Sequence, residues 1–141
     1  MSEDDITLDF DSVLPPLIPS GGYTVSFIRA EKKWLWGKRL KIFLHFEIVH
    51  PTEYAGLRLY MAANVPPKNQ WTIGCKYYRT WAMASGHRPR RRDRLSTQVF
   101  RDKYFIARIK TVDTTANGTA RAEAAQYSII DELLEIAAGR L

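Results

Sequence analysis

A single cysteine, Cys75, in a chain of 141 residues excludes an intrachain disulfide and any multi-cysteine metal site. A reducing, cytoplasmic setting fits that usage. No apolar run approaches the roughly 20 residues needed to cross a bilayer. The opening Met1-Ser2-Glu3-Asp4-Asp5 is acidic where a signal peptide begins basic, so a soluble, cytoplasmic chain with no membrane partner is expected. Acids are also scarce where cations are dense: residues 13–110 carry nineteen Lys and Arg against five Asp and Glu. That scarcity bears on catalysis, because metal-dependent phosphodiester cleavage needs clustered carboxylates. Glu31, Glu47, Glu53, Asp93 and Asp102 are instead spread over separate segments. His45, His50 and His87 lack the spacing of a zinc site, and neither G-x-x-x-x-G-K-[ST] nor G-x-G-x-x-G occurs as a phosphate cradle. Cys75, on an apolar stretch, reads as a small buried hydrophobe. No enzymatic activity, metal or cofactor is expected.

What is present is charge of one sign, concentrated in the middle of the chain. Residues 1–12 hold five acids and no Lys or Arg, residues 111–141 hold five acids and two Arg, and the whole chain is +6. The run His87-Arg88-Pro89-Arg90-Arg91-Arg92-Asp93-Arg94 alone contains five arginines. A basic centre between acidic ends points to a polyanionic partner; the competing reading is a solvated charge run. With 45% apolar and 12% aromatic residues, the chain is expected to fold as one domain with a real core.

Periodicity supplies the elements. Residues 1–20, ending in Leu14-Pro15-Pro16-Leu17-Ile18-Pro19-Ser20, read as an acidic N-terminal tail, and residues 21–141 as the domain. Tyr23, Val25 and Phe27 alternate with Thr24 and Ser26 as a half-buried strand requires. Trp34-Leu35-Trp36-Gly37-Lys38 reads as a turn. Leu40, Ile42, Leu44, Phe46 and Ile48 then form a second strand whose other face carries Lys41, Phe43, His45 and Glu47. Leu57, Leu59 and Met61 mark a third. Spacing by three and four from Asn69 to Ser85 predicts a helix with Gly86 as its C-cap. A fourth strand is predicted across Val99–Lys110, a fifth across Ala124–Ile130, and a short C-terminal helix over Asp131–Ala138. The fold class is therefore mainly β: an OB-fold-like five-stranded Greek-key barrel, with one helix between strands 3 and 4 and a short C-terminal helix.

Gly22-Tyr23, Tyr54-Ala55-Gly56-Leu57, Phe100-Arg101-Asp102-Lys103-Tyr104-Phe105 and Tyr127-Ser128-Ile129-Ile130-Asp131-Glu132-Leu133-Leu134 are short turn-plus-strand patterns. Through them, residues 20–137 resemble small phage, plasmid and integrative-element proteins, which are similar to OB-fold single-stranded DNA-binding proteins. The resemblance implies a role in replication or recombination of a mobile element. The arginine run is not part of it.

Single-strand binding needs cations that follow phosphates and flat rings on which bases stack. Trp34, Trp36, Lys38, Arg39, Lys41, Phe43, Arg58 and Tyr60 supply both around strands one to three, and Arg88, Arg90, Arg91, Arg92 and Arg94 are the candidate phosphate contacts of the arginine run. Trp71, Tyr78 and Trp81, at helical spacing, read as core. The expected partner is single-stranded DNA bound with little sequence preference; the pattern does not separate DNA from RNA. The alternative function is a protein-interaction or inhibitory module of a mobile element. It would use the tail Glu3-Asp4-Asp5-Ile6-Thr7-Leu8-Asp9-Phe10-Asp11 either to dock a protein partner or to compete for the basic groove.

Overall fold

A computed structural model describes residues 15–35, 39–91, 94–115 and 118–137. Five strands and one helix make up its main elements: β1 (Gly21–Leu35), β2 (Arg39–His50), β3 (Arg58–Asn64), α1 (Lys76–Ser85), β4 (Tyr104–Val112) and β5 (Tyr127–Ile136). All pairings are antiparallel, in the order β3-β2-β1-β4-β5. The two ends of that order, β3 and β5, also touch one another.

β1 serves two partners because it bends. Residues 21–26 pair with β4, while the longer stretch to Leu35 pairs with β2. The register slips by one residue between Phe27 and Arg29, which is a β-bulge, and a bulge turns the strand and reverses which residues face inward. The core-facing set accordingly passes from Tyr23, Val25 and Phe27 to Ala30, opposite the fully buried Leu44.

Phe46, Phe100 and Phe105 are completely buried, along with Leu44, Leu59, Met61 and Ile130. α1 lies against this core through Tyr77, Tyr78, Thr80 and Ala84. Trp71 packs on Tyr77 at 4.9 Å between ring centroids, and Tyr77 on Phe100 at 6.1 Å. Gly86, at φ 86°, ends the helix with its N–H donating to Ala82 O, a left-handed cap that glycine adopts without steric cost.

The approach to β1 is tied down at Ser128. Its buried hydroxyl accepts from Ile18 N at 2.9 Å and donates to Ile18 O at 3.1 Å, and Ser128 N donates to Pro16 O at 3.0 Å. Ser128→Ala removes both hydroxyl bonds and strands buried backbone groups, so a loss of about 1–3 kcal/mol is expected in denaturant unfolding.

Three element assignments from the sequence are corrected. There is no C-terminal helix across Asp131–Ile136: that stretch belongs to β5. Register shifts place one extra residue at Asp131 and another at Leu134, so the buried positions Ser128, Ile130 and Leu133 step by two and then three. Such spacing imitates a helix. α1 begins at Lys76 rather than Asn69, because Gly74 lies in a turn closed by Cys75 N donating to Thr72 O. β4 begins at Tyr104 rather than Val99; a 3-10 turn over Thr97–Phe100, started by Ser96 Oγ accepting from Gln98 N, precedes it.

Candidate nucleic-acid interface

Two surfaces carry the candidate residues, and they differ in how their charge is disposed. The first is the outer face of β1, β2 and β3. Register sets Arg29 beside His45 and Tyr60, Glu31 beside Phe43 and Ala62, and Lys33 beside Lys41 and Asn64, with Glu47 opposite Arg58. Carboxylates sit among these cations. Glu31 lies 2.6 Å from Arg29, 3.4 Å from His45 and 4.0 Å from Lys33, and Glu47 lies 4.0 Å from Arg58. Phe43 meets Tyr60 edge-on at 5.4 Å and is only 9% exposed. Its ring therefore has little face left on which a base could stack. Phe43→Ala is expected to lower the melting temperature by several degrees while changing single-strand affinity less than about threefold; a loss of binding with unchanged stability would return this ring to the interface.

The second surface is a trough beyond the end of the core. Ile42 and Ala63 are the last buried pair on β2 and β3. Past them, the β1–β2 hairpin carries Lys32, Trp34 and Leu40 on the face that elsewhere covers the core. A cavity of about 550 Å³ opens there, walled by Trp34, Leu40, Val65, Pro66 and Pro67 and rimmed by Lys32, Arg39 and Lys68. Val65 N donates to Leu40 O at 2.9 Å, which holds the proline turn against the hairpin. Lys68 stands at φ 57°, a left-handed conformation uncommon outside glycine.

A second cavity of about 350 Å³ shares Asn64 and Pro66 with the first and adds Lys41, Lys76 and Arg79. A third, of about 260 Å³, shares Lys32 and adds Arg94. Seven Lys and Arg residues border these three hollows, which share lining residues, and none of their described lining residues is Asp or Glu; a further cavity that shares Lys76 and Arg79 is lined also by Asp131 and Glu132. Burial lowers the pKa of Lys76, which also stands at the first position of α1, where the helix dipole opposes a cation. A phosphate placed there would restore the charge. Beyond Arg79 the surface becomes mixed. Arg108 contacts Asp131 at 3.0 Å and Glu132 at 2.7 Å, and Lys110 contacts Asp131 at 3.2 Å. Burial alone would raise the Asp131 pKa, but hydrogen bonds from Arg108 and Lys110 outweigh it and hold the carboxylate below its ordinary range.

Of the sequence-derived candidates, Trp34, Arg39 and Arg94 line the trough, and Lys41, on the outer face by register, borders the cavity at the end of β3. Phe43, Arg58 and Tyr60 are on the outer face. Arg88, Arg90 and Arg91 are exposed on the chain leading from α1 towards Arg94. Trp36, Lys38 and Arg92, with the acidic residues 3–11, lie outside the described residues. The sequence places Lys32 in the basic, aromatic run of residues 32–39 and Lys76 and Arg79 on a helix too poor in cations to read duplex DNA; it does not single out Asn64 or Lys68, which come from separate segments.

Trp71, Tyr77 and Tyr78 are buried, and Trp81 is held through Nε1 donating to Ser96 O at 2.9 Å. Among the described residues no group of three or more His, Cys, Asp and Glu could hold a metal ion, and no helix is long and apolar enough to cross a membrane. Comparison with known proteins finds no matching family model, no matching curated protein and no matching solved structure.

Proposed function

We propose that this chain binds single-stranded DNA, with the phosphates following the trough and bases stacking against Trp34. The observation that carries the reading is the set of three neighbouring cavities bordered by seven cations and, among the described residues, no carboxylate. Counterions released from bound phosphates supply most of such affinity. Trp34 is, among the described residues, the most exposed of the large hydrophobic side chains, at 69%, and each stacked base contributes about 1–3 kcal/mol. The strand order, with β3 touching β5, is compatible with closure into a small barrel of the OB type, whose strand 2–3 face and flanking loops, that between strands one and two included, bind oligonucleotides; the trough lies beside that loop. The trough, rather than the outer face of β2 and β3, is favoured as the strand's path because Glu31 and Glu47 lie among the outer cations. The resemblance noted above extends the proposal to replication or recombination of a mobile element in the cytoplasm, without an enzymatic activity of the chain's own.

The test is fluorescence anisotropy with labelled single-stranded DNA, duplex DNA and RNA of equal length at two salt concentrations. Tighter binding to the single strand than to the duplex is expected, with a steep salt dependence. Equal weak binding to all three would reduce the trough to a nonspecific polycation, and preference for RNA would transfer the reading to that polymer.

A further inference from the structure

We propose that the acidic N-terminal segment, residues 3–11, is a built-in competitor of the single strand and docks on Lys76 and Arg79 of α1 and Lys41 of β2. The competition rests on the reading of the trough as a single-strand site. Residues 1–14 lie outside the described residues, but the place from which they depart is fixed. Pro16 O accepts from Ser128 N at 3.0 Å, and the buried Ile18 has its N–H and its carbonyl both bonded to the Ser128 hydroxyl. Ser128 stands three residues before Asp131 on β5, roughly 10 Å along the strand. Asp131 lines, together with Lys76 and Arg79, a cavity of about 340 Å³. The same two cations border the cavity that adjoins Lys41 and the end of β3.

Length and charge both suit that occupant. Asp11 lies five residues before Pro16, an extended span of up to about 17 Å, and Glu3 lies thirteen before it, up to about 45 Å. Glu3, Asp4, Asp5, Asp9 and Asp11 are accompanied by no Lys or Arg. Lys41, Lys76 and Arg79 in turn make no salt bridge within 4.0 Å among the described residues, because the carboxylates that share their cavities are engaged elsewhere: Asp131 by Arg108 and Lys110, and Glu132 by Arg108. Ile6, Leu8 and Phe10, between the acids, supply apolar contact for Ala62 and Pro66 of the cavity wall. A tethered segment meets such a site at an effective concentration in the millimolar range, so weak pairing suffices to occupy it. Phosphates and the segment bring the same sign of charge to the same cations, and each therefore excludes the other.

The experiment compares the full chain with a full-length variant carrying Glu3→Gln, Asp4→Asn, Asp5→Asn, Asp9→Asn and Asp11→Asn, all ahead of the first strand. Without DNA, two-dimensional amide NMR spectra at low salt should differ between the two at residues 62–64 and 74–79, and the differences should fade as salt screens the pairing. Differences confined to residues 1–18 would overturn the docking. A labelled oligothymidylate of about twelve nucleotides, within the usual span of one such domain, then reads the competition. The variant is expected to bind it roughly tenfold tighter than the native chain at low salt, the factor by which a competitor at about 1 mM with an affinity of about 0.1 mM weakens binding. Neutralising the acids also raises the net charge, so Lys76→Gln with Arg79→Gln is introduced into both chains. If the segment docks on these cations, that pair of substitutions should remove most of the gain. Equal affinity of native and neutralised chains, or a gain that survives Lys76→Gln with Arg79→Gln undiminished, would overturn the inference. If neither chain binds the oligomer, the single-strand reading and the competition fall together, while the spectra decide the docking by themselves.

Discussion

Replacing Lys32, Arg39, Lys41, Lys68, Lys76 and Arg79 with glutamine should nearly abolish single-strand binding at physiological salt and flatten its salt dependence. Each phosphate contact contributes about 0.7 to the magnitude of the slope of log affinity against log salt, so losing six contacts lowers it by up to about 4. The fold should tolerate the change. These residues border open cavities, none of them makes a salt bridge within 4.0 Å among the described residues, and burial disfavours the charge of Lys76 more than the nearby Asp131 and Glu132 favour it. A matched variant with Arg88, Arg90 and Arg91 neutralised should reduce the slope magnitude by no more than about 2, since those three lie outside the cavities. If the second variant loses more than the first, the strand runs along the arginine segment and the trough is not its path. Discrimination among base sequences should change little in the arginine variant, because phosphate contacts carry no base information.

The largest stability effect is expected at Phe100→Ala. This ring is fully buried, with centroids 5.7 Å from Phe27, 5.9 Å from Phe105 and 6.1 Å from Tyr77. It therefore joins β1 and β4 to the helix. Truncating such a ring costs about 3–5 kcal/mol through lost burial and the cavity left behind, a large part of the 5–15 kcal/mol that stabilises a typical domain. A fall in melting temperature of roughly 10–20 °C is expected for a chain of this size. Tyr77 Oη, which donates to Leu95 O at 2.7 Å, should lose its placement as α1 loosens, disturbing the cavity that Tyr77 and Leu95 help to line. A drop of only a degree or two would show that the helix is held by its other contacts.

Much of the architecture was readable from local pattern. Alternation across Tyr23–Phe27 and Leu40–Ile48 marks strands because each has one buried face, and the glycine after Ser85 marks the end of a helix because only a left-handed residue closes it. β5 was misread for an equally physical reason. Its two bulges shift buried residues to a spacing that a linear pattern cannot tell from a helical turn. The outer face of β2 was located correctly, yet whether Phe43 stands open or covered depends on what lies over the sheet, and alternation carries no information about that.

Of the interface, the sequence by itself determined the sign and surplus of charge, the aromatic content around the first hairpin and the absence of carboxylate clusters in the basic centre. Those properties depend only on which side chains are present. Only the tertiary structure decided where the charge converges. The bulge in β1 places Lys32 and Trp34 on the core-side face beyond the end of the core, and the turn after β3 brings up Lys68. α1 contributes Lys76 and Arg79 from a distant part of the chain. A trough assembled from four segments leaves no periodic trace in any of them, because its spacing is set by packing across the sheet and not by distance along the backbone.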